Sequence, residues 1–168
     1  MIMRALSLTC VCGLMLLLAG CSGYRLGPLN GEVAGAKSVQ VAPFANKTVE
    51  PLLTDAVTTA VRRRLQQDGT YRLVSGEDAD IVLSGEITRF DRSELSLDSF
   101  DVRTLRDYSI TLQGTVSARS RSTGEVLFTQ NVTGRTVARV GSDLVSAERQ
   151  ALPLAAKDFA NNAVSLLA

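Results

Sequence analysis

Between Tyr108 and Ala118 the chain alternates without a break. Tyr108, Ile110, Leu112, Gly114, Val116 and Ala118 fall on one side of an extended backbone, and Ser109, Thr111, Gln113, Thr115 and Ser117 on the other. Successive side chains of a strand point to opposite faces, so this segment carries one apolar face and one face of hydroxyls and amides. It predicts a half-buried antiparallel strand whose second face is wet. Arg119-Ser120-Arg121-Ser122-Thr123-Gly124 reads as a hairpin loop. Val126, Phe128, Gln130 and Val132 begin a returning strand that runs towards Val140. So short a loop makes the two strands neighbours.

The rest of the chain supplies partners for that hairpin. Lys37 to Phe44 alternates around Val39 and Val41 and predicts a short strand, followed by a turn at Ala45-Asn46-Lys47-Thr48. Pro51 suits the first turn of a helix. Leu53, Val57, Ala60, Val61 and Leu65 then recur at helical spacing until Gly69 stops the helix. Arg62-Arg63-Arg64 is expected in its last turn, complementing the helix dipole. Tyr71 to Ser75 reads as a short strand, and residues 80–90 as a longer one with Ile81, Leu83, Gly85 and Ile87 on one face. The polar stretch 91–107 is expected to hold strand ends and a mobile connection. Gly141 breaks the pattern, Ser142 or Asp143 can cap a final helix, and Leu152, Ala156, Phe159, Ala163 and Leu166 repeat at helical spacing. Pro153 is expected to bend that helix or mark the start of its longer part. This order predicts an α+β fold: a two-layer sandwich, with two helices packed on one face of a four- or five-stranded mixed or antiparallel sheet. One domain spans 37–168, with neither an internal repeat nor a second domain.

The amino terminus reads differently. Arg4 precedes an apolar run from Ala5 to Leu18, which ends in Leu18-Ala19-Gly20-Cys21. A charged start, a short apolar core and small residues before a cut mark a secretory signal. The run is shorter than the roughly 20 residues of a membrane span. Cys directly after Ala19-Gly20 resembles the bacterial lipobox, in which the thiol is acylated and the signal is cut before it. Residues 1–20 are then a signal that is removed, Cys21 is the lipidation site, and 21–36, rich in Gly and small residues, is a lipidated tether. Each buried CH₂ adds about 0.8 kcal/mol of membrane affinity, so several acyl chains anchor the chain firmly.

Composition then narrows the chemistry. Histidine is absent. Cys10 and Cys12 leave with the signal and acylation consumes Cys21. No disulfide, thiolate metal site or His-dependent catalytic group is available to the mature chain. Loss of Arg4 takes Lys+Arg from 18 to 17, against 17 Asp+Glu, and this balance argues against nucleic-acid binding. Asp78, Asp80, Glu86 and Asp91 match no calcium loop and read as surface carboxylates. An enzyme is not expected, nor a cofactor or metal. The arginines are more suggestive. If 108–118 and 126–140 pair through the loop, Arg135 and Arg139 approach the end that carries Arg103 and Arg106. Four guanidiniums there would suit phosphorylated sugars, since Arg holds phosphate through a planar fork. Surface pairing with Asp101, Asp107 or Asp143 is the plainer alternative.

Cys21-Ser22-Gly23-Tyr24-Arg25-Leu26 is similar to the Cys-Gly-aromatic-x-Leu opening of the LptE family, with Ser22 where many members have Gly. The strand Val39-Gln40-Val41-Ala42-Pro43-Phe44, a helix, Ala79-Asp80-Ile81-Val82-Leu83-Ser84-Gly85-Glu86-Ile87-Thr88, long alternating strands and a last helix follow in the same order. The resemblance covers nearly all of 21–167. It implies an outer-membrane lipoprotein without catalysis, on the periplasmic side. Such a protein plugs and helps assemble an LptD-type β-barrel and binds lipopolysaccharide during its delivery to the outer leaflet. It also implies lipopolysaccharide contacts near 100–106 and 135–143, for which Arg103, Arg106 and Arg139 are the candidates. A different reading is an envelope lipoprotein regulator or scaffold, such as an activator of a cell-wall synthase. Long alternating strands over 103–140 favour the first reading; a helix interposed there would favour the second.

Overall fold

A computed structural model describes residues 35–76, 78–97, 105–139 and 143–167. The alternating segments become the long strands of one sheet: β4 (Ile81–Leu97), β5 (Leu105–Ser120) and β6 (Val126–Arg139). β5 pairs antiparallel with both neighbours, in a register that sets Val116 against Gln130 on β6 and against Gly85 on β4. On the other side of β4 lie β1 (Ser38–Val41) and then β3 (Arg72–Leu73), both joined in parallel. The sheet is therefore mixed, in the order β3-β1-β4-β5-β6. A sixth, two-residue strand, β2 (Ala45–Asn46), also pairs with β4. The main path thus holds five strands, within the expected four or five, and β2 lies off it. Residues 45–48 read as a turn, yet Ala45 and Asn46 align with Glu86 and Ile87 before the chain turns. The polar stretch after residue 90 supplies strand ends as expected, with β4 reaching Leu97 and β5 starting at Leu105.

Two helices cover one face. α1 (Leu53–Asp68) buries Leu53, Val57, Thr58, Val61 and Leu65, and Gly69 ends it in the left-handed region with φ 73°, its N–H donating to the Leu65 carbonyl. A residue without Cβ takes that conformation at little cost. Two expectations about this helix change. Pro51 sits in the turn ahead of the N-cap Leu52, and the helix runs past Arg62-Arg63-Arg64, so the last turn holds no basic residue. The arginines are instead used along the helix: Arg62 donates to the Val41 carbonyl at 2.9 Å and Arg64 pairs with Asp68 at 3.3 Å. α2 (Leu144–Val164) is capped by Asp143, whose carboxylate accepts from Val145 N and Ser146 N, and Pro153 lies inside it. Because α2 stops at Val164, Leu166 turns outward and Leu167 is buried in its place.

The core lies between the helices and the sheet. Val39, Val41, Leu83, Ile87, Leu112 and Val116 rise from the strands to meet Val57, Val61, Ala156 and Phe159. The Phe44 and Phe159 rings meet edge to face, with centroids 6.1 Å apart, an arrangement that adds to simple burial. Gly134 is what lets α2 come so close to β6. A Cβ there would lie 2.4 Å from the Ala155 carbonyl oxygen and 2.5 Å from the Phe159 nitrogen. Asp80 fastens the start of β4 to β1, accepting from both the hydroxyl and the backbone N–H of Ser38 at 2.7 Å. The Ser38 hydroxyl bond foremost holds the Asp80 carboxyl below the usual aspartate range.

Candidate functional site

The site suggested by the arginines is the sheet end where β4 finishes and β5 begins. The register places Asp107 opposite Arg139 and Tyr108 opposite Ala138. Arg106, the residue before Asp107 on β5, therefore reaches the same end of the sheet as Arg139. Arg103 lies outside the described residues, as do Cys21 and the tether before Gly35. Arg139 is 73% exposed at its side chain, and its Nε sits 3.3 Å from the Asp107 carboxylate. Pairing with Asp107, the plainer alternative, thus holds for Arg139 without removing it from solvent. Surface pairs of this kind contribute little to stability, so the guanidinium stays available to a ligand at small cost. Arg135 lies further along β6, opposite Thr111, and is tied by its backbone N–H to Asp158 on α2. Asp143 serves as the cap of α2; its bond to Ser146 foremost depresses its pKa.

A further cation joins this end that the sequence did not single out. Arg92 on β4, opposite Ile110, reaches Glu50 ahead of α1 at 3.1 Å and also contacts Glu148 in the first part of α2. Its guanidinium carbon lies 4.6 Å from the centre of the Phe90 ring. The bond to Glu148 foremost raises the Arg92 pKa, so the group stays charged throughout the useful pH range. Two carboxylates already occupy Arg92, which makes it a structural clasp across three elements rather than an anion site. Tyr108 is buried beneath, and its hydroxyl has no hydrogen-bond partner among the described residues. Burial foremost raises its pKa, so it remains a neutral phenol.

Two other surfaces stand out. The sheet face away from the helices is lined with small polar groups linked across strands. Thr115 donates to Asn131 at 3.1 Å and Thr129 to Ser117 at 3.1 Å. On the outer side of the helical layer, Ala56, Ala60, Arg63, Arg64, Leu154 and Lys157 line part of a groove of about 610 Å³. Among the described residues no cluster of acidic, Cys or His side chains is placed to hold a metal, and no helix is long and apolar enough to cross a membrane.

A model of the LptE family, described as lipopolysaccharide-assembly, matches residues 36–167. The chain belongs to the LptE family. The match spans the whole described domain, as the order of motifs implies, and it describes an assembly role rather than a catalysed reaction. No curated protein sequence matches the chain. Several solved structures share the fold. Protein XCC0632 from Xanthomonas campestris is 15% identical with a TM-score of 0.58, covering 83% of this chain and 88% of that one. Protein CT253 from Chlamydia trachomatis is 12% identical with a TM-score of 0.55, covering 79% and 96%. A PelC dodecamer from Paraburkholderia phytofirmans is 18% identical with a TM-score of 0.54, covering 85% and 95%. At these identities the likeness is one of fold.

Proposed function

We propose that this LptE-family chain is an outer-membrane lipoprotein, acylated at Cys21 and held on the periplasmic side, that plugs and helps assemble an LptD-type barrel. In this reading it binds lipopolysaccharide on its way to the outer leaflet. The family match over 36–167 carries the reading. The long β5–β6 hairpin supports it against a cell-wall-synthase regulator, because 105–139 contains no helix among the described residues. A plug also needs a rigid body with a polar face. The Ser, Thr, Gln and Asn face of β5 and β6 is of the kind that fits the polar lumen of a barrel. The tether at 21–36 would raise the effective concentration of the domain beside a membrane partner.

Within that role, Arg103, Arg106 and Arg139 are the proposed lipopolysaccharide contacts, and their forks suit the phosphates of lipid A. The exposure of Arg139 at this end of the sheet supports its part in this assignment. The test is affinity purification of the tagged, mature protein from detergent-solubilised membranes, with barrel and lipopolysaccharide both measured. The reading predicts recovery of a large barrel with lipopolysaccharide. The variant in which all three arginines become Glu should keep the barrel and lose most of the lipopolysaccharide. Recovery of a cell-wall synthase without a barrel contradicts the reading.

A further inference from the structure

β6 forms one edge of the sheet, and its outer side is treated differently along its length. The Arg135 N–H points outward and donates to the Asp158 carboxylate at 2.8 Å. The Thr133 carbonyl also points outward and accepts from the Asn162 side-chain amide at 2.8 Å. Side chains of α2 thus fill the hydrogen-bonding positions that a further strand would use. Outward-pointing backbone groups recur at every second residue of an antiparallel edge. The pairing with β5 keeps one register from Phe128 to Arg139, so Asn131 and Thr129 also point outward. Beyond the end of α2, no described side chain caps them.

Edges are normally protected by charge, proline, a short strand or a cover. Val126-Leu127-Phe128-Thr129-Gln130-Asn131 contains neither charge nor proline, and Val126 and Leu127 are 45% and 50% exposed. Alternate open N–H and C=O groups on an edge are complementary to an extended polypeptide, which pairs through its own backbone. A second copy of the chain fits poorly. The stretch 126–131 is six residues long, whereas a stable interface engages about 20–30 residues a side. An extended segment of a protein that already surrounds the domain has no such deficit.

We infer that the open half of β6 is a strand-addition site for an extended segment of the barrel partner, paired through the backbones of Thr129 and Asn131. This rests on the proposed barrel plug. The segment lies beside the polar face of β5 and β6, so the partner meets the edge and that face together. The site is separate from the arginine end, because 126–131 is at the hairpin end of β6.

The test is co-purification of the barrel with the mature, acylated protein and its variants. Thr129→Pro removes an outward donor while leaving the inner ladder to β5 intact, a position where an edge strand tolerates proline. Leu127→Lys places a charge on the edge without touching the backbone. Gln66→Ala, on the exposed side of α1, is the control. Thr129→Pro should lower barrel recovery at least tenfold and Leu127→Lys severalfold, with circular dichroism unchanged and the control like the parent. If Thr129→Pro loses its fold, Leu127→Lys decides alone. A photo-crosslinker at Leu127 should trap the barrel. Parental recovery in the folded variants, or crosslinks only to a second copy, overturns the inference. Absence of any barrel with the parent overturns the plug reading itself, a result distinct from variants that bind as the parent does.

Discussion

The two halves of β6 share one ladder with β5 but not one environment. From Val132 to Ala138 the strand lies under α2, with Val132, Gly134 and Ala138 buried and the outer edge capped by Asp158 and Asn162. From Val126 to Asn131 α2 has ended, and only Phe128 is partly covered. Pairing with a neighbour does not by itself complete a strand. The covered half is finished within the chain, by a glycine that admits the helix and by side chains that occupy its edge. The open half is finished only on one side, and that is where an outside strand can be added.

The largest effect is expected from the covered half. Phe159→Ala removes the ring that packs against Phe44 and Gly114. It should cost about 3–5 kcal/mol in denaturant unfolding, as buried aromatic truncations do. Leu127→Ala, on the open half, should stay within about 0.5 kcal/mol of the parent. Similar losses at both positions would erase the distinction.

A smaller effect should appear in acid. Asp80 and Asp143 each hold a native pKa depressed mainly by hydrogen bonds, to Ser38 and Ser146 respectively. A depressed carboxyl contributes stability that is fully present above its unfolded pKa of about 3.9 and is lost as the pH falls through its native value. Thermal stability should therefore be flat on this account above about pH 5 and fall below about pH 4. Asp80→Asn with Asp143→Asn should flatten that decline. Since Asp80 clasps β1 to β4 and Asp143 starts the helix over the covered half, the decline belongs to the finished part of the molecule. An acid transition unchanged in the double variant would place its cause elsewhere.

Much of the finished part can be read from local pattern. The alternation of 108–118 places every buried residue of the middle of β5, and the spacing of Leu53, Val57, Val61 and Leu65 with Gly69 places α1. Features that depend on a distant partner cannot be read this way. Arg92 finds Glu50 and Glu148 at separations of 42 and 56 positions, so nothing near it in sequence distinguishes it from any surface arginine. Asp158 and Asn162 lie 23 and 29 positions from the backbone groups they cap. The arginine end is intermediate. Hairpin pairing brings Arg139 to the end where β5 begins, since a short loop fixes that register, whereas the Asp107 contact of Arg139 was one of several alternatives. Leu166 shows the limit of periodicity: its spacing fits the buried stripe, but the helix ends first and Leu167 takes the place.

Amide hydrogen exchange on the free protein and on its complex with the barrel reads out the open edge residue by residue. In the free protein the Thr129 and Asn131 amides should exchange near unprotected rates while the Arg135 amide, bonded to Asp158, is slow. In the complex Thr129 and Asn131 should slow by at least tenfold. Protection of those two amides before the partner is added, or none after it, would contradict the account.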